Sequence, residues 1–160
     1  MSKRIYADFS YLIILAATFG AVIVLGAISA PVIFNTHTLV LGFDLDRYTA
    51  GIIMGEIFHR FSYWIYIVAV SVVIYEAISY KMGQRDYVIF GSSVAVVFSS
   101  LMFSAVYSPQ ILDMQALGVE ATMSDTFNNI HKASELDFKI LAIALLVLFI
   151  RRLMLLRRPC

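Results

Sequence analysis

Phe9–Phe34 reads FSYLIILAATFGAVIVLGAISAPVIF, a run without one charged side chain. At ~1.5 Å rise per residue it reaches across the ~30 Å hydrocarbon layer of a bilayer with residues to spare. In lipid every backbone N–H and C=O has to pair inside the segment, which makes the run a helix. Two further stretches follow the same logic, about 50–80 and 87–112. A fourth apolar core, Ile140–Ile150, is too short alone. It becomes long enough if the helix starts near Asp125, with Ser124 as N-cap, and continues to Leu156. Its first half carries Lys132, Glu135, Asp137 and Lys139, and so has to face water, headgroups or other helices. The expectation is an all-α, integral membrane four-helix bundle. It forms a single transmembrane domain over 1–160, with helices at about 9–34, 50–80, 87–112 and 125–156.

Composition agrees. The chain is 61% hydrophobic with a mean hydropathy of +0.84, and only 14% is charged, against roughly 25% in soluble domains. The net charge of +1 and the motifs offer nothing to a nucleic acid. The one cysteine, Cys160, excludes an internal disulfide and a cysteine-based metal site. Lys3 and Arg4 precede an apolar run too long for a signal-peptide core, so cleavage is not expected. Eight of the twelve basic residues fall on one side: Lys3, Arg4, Lys81, Arg85, Arg151, Arg152, Arg157 and Arg158. That side is cytoplasmic by the positive-inside rule, with both termini there. A bacterial inner membrane is the expected location. The other side holds Arg47, Arg60, Lys132 and Lys139, together with acidic loops bearing Asp44, Asp46, Asp113, Glu120 and Asp125.

The two halves read as copies. Pro31 closes GAISAP and Pro109 closes FSAVYSP, 78 residues apart. His59-Arg60-Phe61-Ser62 and His131-Lys132-Ala133-Ser134 share an offset of 72. Two spans per copy make this a parallel repeat of helical hairpins. Both histidines then lie ~32 Å from the cytoplasmic boundary, in one layer at the outer edge.

That layer is the candidate site. Glu56 and His59 share a face of the second helix, and His131 and Glu135 share a face of the fourth. Two histidines and two carboxylates on facing helices suit Zn²⁺, Fe, Mn or Cu(II). Two histidines alone suit the axial positions of haem b. Arg60, Lys132, Ser62 and Ser134 are the supporting residues. Asn128 stands where the repeat of Glu56 would put a second acid. Interfacial anchoring with salt bridges is the plain alternative for the same side chains. His37 reads as a solvated loop residue. Gly20, Ala21, Gly26, Ala27, Ser29 and Ala30 read as a close-packing face. Pro31 and Pro109 should end or kink their helices, freeing carbonyls that could line a polar pocket. Met54, Met102, Met114 and Met123 read as filling rather than as a copper site. Tyr63, Trp64, Tyr66 and Tyr107 read as an aromatic belt. Glu76, one turn from the inner end, should snorkel to water. No nucleophile–base pair, phosphate loop or dinucleotide fingerprint is present, so no reaction follows.

Gly26-Ala-Ile-Ser-Ala-Pro-Val-Ile-Phe34 and Ala50-Gly-Ile-Ile-Met-Gly-Glu-Ile-Phe-His-Arg60 resemble the pattern of the transmembrane-protein-205-like family. Phe127-Asn-Asn-Ile-His-Lys-Ala-Ser134 resembles that family's late Phe-x-x-x-His-x-x-Ser motif. The resemblance implies a four-span fold and supplies no reaction. More distantly the layout is similar to copper-resistance D-type proteins and HemJ-type protoporphyrinogen oxidases, small bundles with functional histidines. The missing partner for Glu56 puts a symmetric two-carboxylate metal site in doubt. Three functions fit these readings. One is a haem b or transition-metal protein for redox or metal handling. Another is a homo-oligomeric transporter with Glu56, His59 and Glu135 as gate or relay. The third is an accessory subunit of a larger membrane complex, contacting it through small-residue faces of helices one and three.

Overall fold

The computed structural model describes residues 2–40, 42–43 and 45–156, with side chains from residue 5 onward. The side chains of Lys3 and Arg4 and all of Asp44, Arg157, Arg158 and Cys160, used above, lie outside the described residues. The described chain is helical without a strand. The first long helix runs through α1 (Ser2–Ile23), a π turn (Val24–Ser29) and α2 (Ala30–Phe34). A 3₁₀ turn (Thr36–Thr38) leads to the second, α3 (Arg47–Lys81). The third comprises α4 (Tyr87–Leu101), a π turn (Met102–Tyr107) and α5 (Ser108–Ala116). After the short α6 (Val119–Thr122) comes the fourth, α7 (Asp125–Leu156). Ile5–Phe34, Arg47–Lys81 and Tyr87–Ala116 are each long and apolar enough to cross a membrane.

The helix ends follow local chemistry. α3 starts at Arg47, before the expected residue 50, because the Asp46 carboxylate accepts from the Thr49 amide at 3.0 Å and from its hydroxyl at 2.6 Å. Asp86 caps α4 by accepting from the Val88 and Ile89 amides. Ser124 caps α7 through the Phe127 amide at 3.2 Å, as expected. The tight turn between the hairpins rests on Gly83, whose φ of +86° suits only glycine without strain.

Neither proline ends its helix. A proline lacks an N–H and crowds the carbonyl four residues back. Here the backbone widens into a π turn just before each one, a known way of absorbing such a fault. The Ala30 amide bonds the Leu25 carbonyl, and the Ser108 amide bonds the Phe103 carbonyl, each reaching five residues back. The two π turns start 78 residues apart, the offset of the prolines themselves. The repeat is therefore a property of the backbone as well as of the letters.

The core runs along the bundle axis. Leu15, Ile65, Val68, Val72, Val96, Leu141, Leu145 and Leu148 are fully buried. Phe58, Phe103 and Phe138 join the second, third and fourth helices through ring contacts of 4.9 to 5.5 Å. Gly26 brings the first helix onto the same ring; a Cβ there would lie 3.6 Å from Phe138. Gly51 and Gly55 let α3 approach α5 closely. A Cβ on Gly55 would come within 2.5 Å of Gln115 Oε1 and 3.3 Å of Leu112 Cδ2. The outer faces are apolar, with Ile67, Val70, Ile74, Phe90, Val94 and Phe98 all exposed. Lipid is the natural cover for such a surface.

Candidate functional site

In the outer layer the bonding partners of the candidate side chains lie on their own helices. Glu56 bonds Arg60 at 2.7 Å, one turn along the same helix, and both are exposed. His59 Nε2 faces the Tyr63 hydroxyl at 3.3 Å, again on its own helix. His131 lies 3.3 Å from Glu135 and stacks on Phe127, all within α7. Among the described residues no group of three or more His, Cys, Asp or Glu is placed to hold a metal ion. Of the supporting residues, Ser62 and Ser134 are buried and bond carbonyls of their own helices, those of Phe58 and His131. Lys132 and Asn128 are exposed. Trp64 is directed inward from the expected belt: its indole N–H donates to the buried Thr18 hydroxyl at 3.0 Å.

The dense polar network lies instead at the Gly83 end. Glu76 does not snorkel. Its side chain is 13% exposed and pairs with Arg152, itself 5% exposed. Arg152 donates from Nε to Glu76 Oε1 at 3.0 Å, from Nη2 to Oε2, and from Nη1 to Gln84 at 2.8 Å. The Tyr11 hydroxyl also donates to Glu76, at 2.8 Å. Tyr11 stacks on Tyr75 with ring centroids 3.8 Å apart, and the Arg152 guanidinium lies 5.0 Å from the Tyr75 ring centroid. The Tyr75 hydroxyl donates to Asp8 at 2.7 Å. A cavity of about 40 Å³ opens between Asp8, Tyr11, Tyr75, Gln84 and Arg152, room for about one water. Beside it Arg151 grips Asp86 through two N–H groups at 2.9 and 2.7 Å. This arginine holds the Asp86 carboxyl below the usual carboxylate range, helped by the two capping amides. All four long helices are thus joined at one end by charged or charge-assisted bonds. A signal for this was present: Glu76 and Arg152 are each a few residues from the basic end of their helix, and an acid and a base at one depth seek each other.

A third polar level lies inside the bundle. Asp137 is 8% exposed, and its Oδ2 has no partner. Ser99 is within hydrogen-bonding reach of its carboxylate. Ser100 and Ser104 are 0% and 5% exposed, and neither hydroxyl has a partner. The register puts Ser100 and Asp137 at one level along the bundle axis. Asp86 pairs with Arg151, and 14 residues inward along each antiparallel helix stand Ser100 and Asp137. That is ~21 Å from the Gly83 end. Of the water, headgroups or other helices open to the charged first half of the fourth helix, Asp137 faces other helices. The serine spacing along α4 was the legible sign.

No curated protein matches this chain, and no solved structure does. The outer histidines therefore borrow no role from a named relative, and neither the transmembrane-protein-205-like nor the haem- and copper-protein resemblance gains support from one. What does match is a domain family without an assigned activity, aligned over residues 13–120, from within the first long helix to within α6. That covers more than half of the chain, which therefore belongs to the family described as domain of unknown function DUF4149.

Proposed function

We propose that this chain is a four-span membrane protein, both termini cytoplasmic, that moves a small ion or solute as a homo-oligomer. The carrying observation is the unequal bonding of the two ends. At the Gly83 end, ionic and charge-assisted bonds cross between helices. At the other end the ion pairs Glu56–Arg60, Glu135–Lys139 and His131–Glu135 stay within single helices. Among the described residues a neutral bond crosses between helices there, from the Tyr48 hydroxyl to the Gln115 carbonyl. A bundle tied by ionic bonds across its helices at one end, with the ion pairs of the other end kept within single helices, opens more readily at the second. Alternating access needs such an arrangement, around a site deep in the membrane. Gly20 and Gly91 face open space on the first and third helices, which suits close contact with a second copy.

The haem and transition-metal readings draw no support from this geometry. Visible absorption and metal analysis of the purified protein keep them open to test, and a coloured or metal-loaded preparation would restore them. Transport is tested in proteoliposomes, with radioactive sodium and an internal pH dye as probes. Glu76→Gln is expected to change the flux, and Glu56→Gln to leave it near wild type. No flux of either probe from a reconstituted protein, or a strict monomer in the bilayer, would sink the proposal.

A further inference from the structure

We propose that Asp137 is the anchor of a sodium-binding site inside the bundle, completed by oxygens of the third long helix. This deepens the transport reading by naming its ion, and it makes a binding claim that can be measured without transport. The buried Asp137 Oδ2 and the hydroxyls of Ser100 and Ser104 have no partner in the protein. Each unsatisfied group in an apolar interior is costly, and an unpaired carboxylate most of all. Pro109 cannot donate, so the carbonyls of Ser104 and Ala105 lose the residue five and four places on that would serve them in a π or α winding. A carbonyl left without an N–H is free to accept from, or coordinate, another group.

The chemistry of these donors selects the ion. They are all oxygens, which suits a hard cation rather than copper, zinc or haem iron. One carboxylate neutralises one positive charge. A divalent ion would leave a net charge in the interior, at high cost.

The repeat supplies a second, independent argument. By the 78- and 72-residue offsets, Ser99, Ser100, Ser104 and Asp137 correspond to Ala21, Val22, Gly26 and Ile65. One hairpin is apolar at all four places and the other is polar at all four. A packing role would not require oxygen at every one of them, whereas a ligand site on one hairpin would.

The test is thermal unfolding in detergent, read by the single tryptophan, Trp64, with sodium chloride titrated against choline chloride at constant ionic strength. Wild type is expected to gain stability saturably with sodium. Asp137→Asn should abolish the gain, and Ser104→Ala should weaken the apparent affinity roughly tenfold, the loss of one oxygen ligand. If Asp137→Asn does not fold, Ser104→Ala and Ser100→Ala carry the comparison. Sodium and choline acting alike, a gain that follows pH alone, or serine variants that titrate like wild type would each overturn the site. Saturable sodium binding without flux in proteoliposomes would support the site and sink the transport reading instead.

Discussion

Removing one partner of the Glu76–Arg152 pair is the sharpest test of the lock at the Gly83 end. Arg152→Met leaves Glu76 with the Tyr11 hydroxyl as its remaining donor, in a setting where its side chain is 13% exposed. Stranding a buried charge in this way costs ~3–5 kcal/mol, or two to four decades in the unfolding equilibrium at about 1.4 kcal/mol per decade. Glu76→Met strands Arg152, which keeps Gln84 and the Tyr75 ring, so its cost falls at the lower end of that range. The double substitution removes both charges. It leaves only the Tyr11 and Gln84 partners unmet, at about 1 kcal/mol each, and apolar replacement of a whole buried pair is often neutral or better. The double variant should therefore be more stable than Arg152→Met alone, with a coupling of at least ~2 kcal/mol. Reversible unfolding in mixed micelles, followed through Trp64, measures all four corners of the cycle. Costs that simply add, or an Arg152→Met loss below about 1 kcal/mol, would refute the buried-pair reasoning.

Two further outcomes are expected. Gly55→Leu should push α3 off α5 and cost ~1–3 kcal/mol in the same assay, because even a Cβ would meet Gln115 and Leu112; a near-neutral Leu variant would mean the helices do not approach there. Because the Asp86 carboxyl is held low, mainly by Arg151, its contribution to stability is full above the unfolded value of about 3.9 and is lost as pH falls through the folded value. Wild type and Asp86→Asn should then differ at neutral pH and converge in acid, and a constant gap across that range would contradict the assignment.

Much of this architecture was legible because lipid imposes a single backbone solution on long apolar runs. Phe9–Phe34 could be nothing but a helix, and the Asp46, Asp86 and Ser124 caps explain where the later helices begin. Side-chain partnership was harder to read. His59 and His131 stand out as letters because histidine is rare in the chain, yet an i, i+4 neighbour on the same helix satisfies each of them. Glu76 looked like a surface acid because its distance from the helix end permits snorkelling. Only the packing of four helices brings Arg152 to it. Asp137 was hidden among Lys132, Glu135 and Lys139, three exposed charges on the same turns. Periodicity separates a buried charge from exposed ones only when the partner helix is known.

The comparison of the two hairpins turns that last point into a decisive experiment. If Asp137 were a structural residue, replacing it with an apolar one would damage the fold. If it is a site kept at the expense of stability, the opposite follows, since its repeat equivalent Ile65 is fully buried without difficulty. In choline buffer, Asp137→Val is expected to be as stable as wild type or up to ~3 kcal/mol more stable, because it removes an incompletely paired carboxylate from the interior. Adding sodium should narrow that gap, since only wild type gains from the ion. A Val variant that is destabilised by more than about 1 kcal/mol without sodium would show that the carboxylate holds the helices together. The unpartnered hydroxyls of Ser100 and Ser104 would then have to be explained by packing alone.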